Sequence, residues 1–193
     1  MRWPMRIERF AIAGPALLLS QRHYDDRGYL AETFQFARFG AAIGMPKIVQ
    51  ENLVWSGAVS TVRGLHAQAP PNAQAKLVSV MVGRILDVVV DIRRESQTYG
   101  QHLAIELTAA AGAMLYVPSG FLHGYRTLEA NTLVQYKLDA LYAPSSELAV
   151  RFDDPALAIE WGAAAADCLV SDKDRGAQSF ATFASPFSDA AAS

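Results

Sequence analysis

Residues 77–92 read LVSVMVGRILDVVVDI. Two apolar runs, Leu77–Val82 and Ile85–Ile92, flank Gly83-Arg84, a pair with the chemistry of a turn. The second run is rich in β-branched valine and places Asp87 and Asp91 on one strand face. Such a strand is expected to set one side in a core and the other against something polar. Further runs lie at Leu103–Leu107, Met114–Val117, Phe121–Thr127 and Thr132–Leu138. They are separated by breaks at Ala109–Gly112, Pro118-Ser119-Gly120 and Glu129–Asn131. Short strands at this regular spacing predict an all-β sandwich or barrel.

Helical signal is sparse. Phe34–Ile43 predicts a short helix ending at Gly44, and Asp154-Pro155 predicts the opening of another, with proline at the first helical position. The apolar run Phe10–Leu19 follows Arg2, Arg6 and Arg9 and superficially resembles a targeting signal. Gly14-Pro15 interrupts it, Glu8 sits among the basic residues, and no small-x-small site follows, so it is read as a first strand entering a sheet. It is also too short to span a bilayer. The 193 residues are read as one domain, 1–193, with an alanine-rich tail from Asp189 expected to fray. Net charge is −2 with Lys and Arg scattered, so no basic stripe for nucleic acid exists. The single cysteine, Cys168, permits no internal disulfide and agrees with a reduced, cytoplasmic setting.

Four polar clusters interrupt the apolar pattern. The densest is Arg63-Gly64-Leu65-His66-Ala67-Gln68, followed by Gln74-Ala75-Lys76. In a strand, Gly64, His66 and Gln68 share one side and Leu65 takes the other. Gly64 leaves room for a ligand or another backbone. The others are Val117–Tyr125, with His123 beside a glycine; Gln135-Tyr136-Lys137, with Tyr136 turned inward; and Asp25–Tyr29 followed by Glu32. Taken singly, each reads as structural: a hydrogen-bonded histidine, a packed tyrosine, a solvated turn.

Together, in this order, the clusters resemble the dTDP-4-dehydrorhamnose 3,5-epimerase family. The resemblance runs from about Asp26 to Asp174 and rests on DDRGYLAETF, the stretch from VQENLVW through RGLH and KLV to VDIRRES, YVPSGFLHGY, QYK, LYAPSSE and DDPALAIEW. It implies an all-β, cupin-type jelly-roll barrel with short peripheral helices, usually a homodimer, working on a nucleotide sugar (dTDP-linked) without cofactor or metal. By the same resemblance His66 is the general base, Asp174 its paired carboxylate, Tyr136 the general acid and Lys76 the cation beside the reacting carbonyl. Arg27, Glu32, Gln50, Asn52, Arg63, His123, Glu147 and Lys173 match positions that hold the sugar and the diphosphate.

The chemistry needs these residue types. A hydrogen next to a ketone is removed because the carbanion delocalises onto the carbonyl oxygen. A neutral histidine suits the base, and an aspartate on its far nitrogen fixes the tautomer. A lysine stabilises the enolate oxygen, and a tyrosine on the opposite face returns the proton. Guanidinium groups bind diphosphate oxygens bidentately.

Three positions depart from the family's usual pattern. Leu141-Tyr142 replaces two adjacent aromatics, which bears on recognition of the thymine. Glu51, between Gln50 and Asn52, carries one methylene more than the usual aspartate and is expected to shift the sugar pocket. Arg126 follows Gly124-Tyr125 where an apolar residue is common. Two rivals follow. A metal-dependent cupin needs a His-x-His pair, but Gln68 occupies that spacing and the chain has four histidines, at 23, 66, 102 and 123. A single-carbon epimerase, or a binding module without catalysis, requires only the same barrel.

Overall fold

The computed structural model describes residues 5–188; the tail from Asp189 and residue Arg2 lie outside them. The strands are β1 (Met5–Arg9), β2 (Ala16–Ser20), β3 (Arg22–Asp25), β4 (Gly28–Ala31), β5 (Gln50–Ser56), β6 (Val62–Gln68), β7 (Lys76–Val82), β8 (Arg84–Asp91), β9 (His102–Thr108), β10 (Ala113–Val117), β11 (Phe121–Thr127), β12 (Thr132–Leu138) and β13 (Glu147–Ala149). Two short α-helices join them, α1 (Phe36–Ile43) and α2 (Asp172–Arg175).

The Gly83 turn does more than reverse the chain. Gly83 takes a φ of 81° and passes the backbone from β7 in one sheet to β8 in the other. The first sheet has the order β1-β2-β10-β7-β12-β5, the second β13-β6-β11-β8-β9, and β3–β4 forms a separate hairpin. The pairings within these sheets are antiparallel. Two such sheets packed face to face make the cupin-type jelly roll that the family resemblance implies.

Period-two alternation distributes the apolar residues over three layers. Val78, Val80, Ile85, Val89, Leu115 and Val134 fill the space between the sheets. Val88, Val90 and Leu122 face outward from the second sheet, under Phe152, Trp161, Val170 and Phe183 from the last part of the chain. Leu18, Leu77 and Met114 face outward from the first sheet, under Phe39 of α1 and Met45. The valine run of β8 is therefore buried on both faces. Its acid-bearing side is not a continuous polar lining, because Ile85 and Val89 share it with Asp87 and Asp91.

Asp91 fastens the end of β8. Its carboxylate accepts from Arg93 Nε at 2.9 Å and Nη2 at 2.6 Å, and from Ser96 Oγ and Thr98 Oγ1 at 2.6 Å each. Burial alone would raise its pKa, but these donors together hold the carboxyl below its ordinary value. Arg93 in turn reaches Ala13 O at 2.9 Å and lies over the Phe121 ring.

The helix expected to end at Gly44 forms, with Gln35 accepting from Arg38 N at its start and Gly44 in the left-handed conformation at its end. Two local expectations are corrected. Residues 10–19 are not one strand: residues 10–15 form a loop in which Gly14 has φ 123°, and β2 starts at Ala16. Asp154-Pro155 opens a turn rather than a helix. The Asp154 carboxylate accepts from Ala156 N and Phe180 N, its carbonyl takes Leu157 N and Ala158 N, and the chain leaves at Ala158 with φ 47°. Asp154 thus caps a single turn, which Ala158 ends by turning left-handed, and ties down the C-terminal segment.

Candidate active site

A bulge in β6 builds one wall. His123 of β11 pairs with His66, but Tyr125 pairs with Arg63, so Gly64 and Leu65 together oppose Gly124. Strict alternation would put Arg63 and His66 on opposite faces. The extra residue turns both toward the same cavity. Only glycine fits at position 64: φ is 110°, and a Cβ there would meet His123 O at 2.6 Å. The space that the sequence reading assigned to a ligand or a backbone belongs to the backbone of Gly124.

The C-terminal part of the chain builds the facing wall. Leu169 lies parallel to the start of β6, bonded through Leu169 N to Ser60 O and Val62 N to Leu169 O, both at 2.9 Å. Ser171 then caps α2 through Asp174 N. This delivers Asp174 Oδ1 to 2.7 Å from His66 Nε2, while Oδ2 accepts from Gly64 N at 3.2 Å. Burial would raise the Asp174 pKa, but the bonds to His66, Gly64 N–H and Ser171 outweigh it and hold the carboxyl below its ordinary range. An ionised Asp174 places the imidazole proton on Nε2 and leaves Nδ1 as the basic nitrogen.

Lys76, the first residue of β7, directs Nζ toward His66 O at 3.5 Å. Desolvation lowers its pKa to about 8, against the attraction of Asp87 and Glu147. Tyr136 faces inward from β12 across from Asn52. Its neighbours Gln135 and Lys137 turn outward to Glu51. Glu51 therefore lies on the face away from the cavity, and its extra methylene does not reach the sugar pocket.

A cavity of about 480 Å³ is lined by Arg63, His66, Lys76, His123, Tyr136 and Asp174, among others. A second, of about 110 Å³, is bordered by Asn52, Gln74, Tyr142 and Glu147. Both are bounded by His66, Lys76 and Tyr136, so they meet at that trio. Lys173 Nζ and Glu147 Oε2 pair at 2.5 Å between them, with Tyr142 OH donating to the same carboxylate at 3.1 Å. Gln50 donates to Asn52 Oδ1 at 3.0 Å and accepts from Tyr142 N. Arg63 is held loosely, by Ser56 Oγ at 3.3 Å and Trp55 O at 3.4 Å.

His123 is more enclosed than a surface ligand group, and its Nε2 lies 2.7 Å from Asp87 Oδ1 with both residues buried. Asp87 was visible in the sequence as a marker of one strand face but not as the partner of a site residue. Tyr125 also lines the larger cavity, and its i+2 relation to His123 was the available signal. Gln68, by contrast, is spent on the loop, bonding Asn72 O, Leu141 O and Ala143 N. Arg27 and Glu32 do not join the cavity. Arg27 sits exposed at the β3–β4 turn, paired with Asp25 at 2.6 Å, and Glu32 pairs with Arg38 at 2.6 Å. Among the described residues, no group of three His, Cys, Asp or Glu side chains is placed to hold a metal ion.

A buttressed imidazole, a cation of depressed pKa and a phenol around one cavity can remove a proton, stabilise an oxyanion and return a proton. Fold and site together define the class: a jelly-roll protein whose cavity is equipped for acid–base chemistry. Comparison with known proteins gives the family. Residues 9–182 match the family model described as dTDP-4-dehydrorhamnose 3,5-epimerase. The dTDP-4-dehydrorhamnose 3,5-epimerase of Sinorhizobium fredii is 40% identical over 157 residues, covering 81% of this chain and 80% of that protein. The crystal structure of dTDP-6-deoxy-D-glucose-3,5-epimerase from Legionella pneumophila, in complex with dTDP-4-keto-L-rhamnose, superposes with a TM-score of 0.90 at 33% identity, covering 97% of this chain and all of that one. A 3'-monoepimerase from Streptomyces bikiniensis, in complex with dTDP-quinovose, matches with a TM-score of 0.83 at 31% identity over 90% of this chain and 87% of that one. The chain belongs to the dTDP-4-dehydrorhamnose 3,5-epimerase family.

Proposed function

We propose that this chain, as one domain, epimerises dTDP-4-keto-6-deoxyglucose at C3 and C5 in deoxysugar biosynthesis. The observation that carries the reading is the convergence of the His66–Asp174 pair, Lys76 and Tyr136 on one cavity. His66 Nδ1 takes the proton from the carbon beside the ketone. The C–H electron pair moves into the new C=C bond, and the carbonyl electrons move onto oxygen. The Lys76 ammonium donates to that enolate oxygen, and Asp174 stabilises the imidazolium. The Tyr136 hydroxyl then delivers its proton to the opposite face as the carbonyl re-forms. Exchange with solvent returns the proton from imidazolium to phenolate. Arg63 and Lys173 hold the diphosphate, and Gln50, Asn52, His123 and Glu147 hold the rest of the ligand, positioning the sugar for the chemical step.

Arg27 and Glu32, which match substrate-holding positions but lie outside the chain's own cavity, support the homodimer. The β3–β4 hairpin that precedes Glu32 and carries Arg27 exposes Tyr24, Tyr29 and Leu30, and β5 exposes Leu53 and Trp55. A second subunit would cover such apolar surface and receive Arg27 beside its cavity. Light scattering at increasing protein concentration checks this. No helix among the described residues is long and apolar enough to cross a membrane, which agrees with a cytoplasmic enzyme.

The deciding experiment is incubation with dTDP-4-keto-6-deoxyglucose in heavy water, followed by proton NMR. Deuterium at both C3 and C5 with inverted product supports the reading. The likeness to a 3'-monoepimerase gives the second reading, in which C3 alone inverts. Tight binding without any exchange would support a binding module instead.

A further inference from the structure

The Tyr125 hydroxyl is poorly satisfied. It is enclosed, in a residue only 3% exposed, and makes no hydrogen bond of good geometry, its one polar interaction of that kind being a weak one with the Ser56 hydroxyl. A poorly satisfied buried hydroxyl is costly, and phenylalanine would fill the same space without that cost. The ring belongs to the packed layer between the sheets, but the residue also lines the larger cavity beside Arg63, His123 and Tyr136. Burial raises its pKa above the ordinary phenol value, with Arg63 and Ser56 partly opposing the rise, so it stands protonated and able to donate. Arg63 is held by two long bonds to Ser56 and Trp55, and an anion in the cavity competes readily for its guanidinium.

We infer that Tyr125 is a specificity-determining residue of this site, its hydroxyl donating to the C2 hydroxyl of the sugar. The assignment rests on the function proposed above. Tyr125 lines the cavity with the acid–base group Tyr136 and the anion-holding Arg63 and feels the charge of both, which we take to place it between them. On the substrate, C2 occupies the corresponding place, between the carbons flanking the ketone and the phosphorylated C1. Arg63 and the phenol share Ser56 as a neighbour, so that a ligand which draws Arg63 toward the diphosphate also offers the phenol a better partner.

The test is Tyr125→Phe, assayed with dTDP-4-keto-6-deoxyglucose and with its 2-deoxy counterpart, by exchange in heavy water and by thermal melting. The variant should melt no lower than the parent, because a buried, poorly paired hydroxyl is removed. It should lose about five- to tenfold in kcat/KM on the 2-hydroxy substrate, the range for one neutral hydrogen bond. On the 2-deoxy substrate, parent and variant should perform alike. Equal losses on both substrates, or a lowered melting temperature, would assign the hydroxyl a structural role and overturn the inference while leaving the epimerase reading intact. A parent protein that exchanges neither substrate removes the epimerase reading and this inference with it.

Discussion

His66 Nε2 and Asp174 Oδ1 lie 2.7 Å apart although 108 residues separate them in the chain. Asp174 is also tied to the backbone of the bulge that aims His66, through Gly64 N–H. One carboxylate thus sets both the tautomer of the imidazole and the shape of the strand that carries it.

Replacing His66 by alanine should abolish exchange next to the ketone while dTDP binding survives, since Arg63 and Lys173 remain. Asp174→Asn should keep the shape but disturb the tautomer, and a fall of about 10²–10⁴ in kcat is expected. Calorimetric binding of dTDP beside NMR exchange rates checks both. Exchange near the parent rate in His66→Ala would remove it as the base.

Tyr136→Phe should separate the two halves of the reaction. The ring preserves packing, so melting should be nearly unchanged. Without the hydroxyl, protonation on the far face fails, whereas removal and return by His66 continues. Deuterium should therefore enter with retained configuration. Normal yields of inverted sugar would take Tyr136 out of the mechanism.

Lys76 predicts a pH limit. If its ammonium steadies the enolate, kcat/KM should fall as pH rises through about 8, where this desolvated lysine loses its proton. The stability effect has the opposite direction. Between about 8 and the ordinary value of 10.5 the unfolded chain binds more protons than the folded one, so this group makes stability rise with pH there. A pH–rate profile flat to pH 10 would contradict the role. Lys76→Ala should lose about 10²–10³ in rate and show no such limb.

Asp91 and Asp174 predict behaviour in acid. Both folded pKa values are depressed, so the stability they contribute is complete above the unfolded aspartate value of about 3.9 and is lost as pH falls through the folded values. Asp91→Asn leaves the buried Arg93 without its counter-charge, at a cost of about 3–5 kcal/mol near neutrality. Its melting temperature should start lower and decline less steeply below pH 4. A variant with an acid limb as steep as the parent's would show that Asp91 is not responsible.

The strands were the most legible feature of the sequence. Phe121–Thr127 and Thr132–Leu138 emerge with the predicted bounds, since Pro118-Ser119-Gly120 and Glu129–Asn131 punctuate them locally. Long-range relations were legible only through the family resemblance. Period-two reasoning separates Arg63 from His66, because a bulge is decided by the partner strand and not by local pattern. Nothing within a few residues of His66 points to Asp174, and nothing in the valine run indicates that a C-terminal layer covers its outer face. Asp154 misled for a local reason: its carboxylate does cap a first turn, but Ala158 turns left-handed and ends it, with no glycine or proline there to mark the stop.

Gly64 and Gly124 face one another at the bulge, where a Cβ on the first would lie 2.7 Å from the second's Cα and a Cβ on the second 2.7 Å from Arg63 O. The calibre of the barrel at its working level is thus set by two missing methyl groups. Neither position can drift alone: one added methyl pries β6 from β11 and draws Gly64 N–H away from Asp174. Any change in what this cavity accepts must therefore come from side chains around the rim, while these two backbones remain in contact.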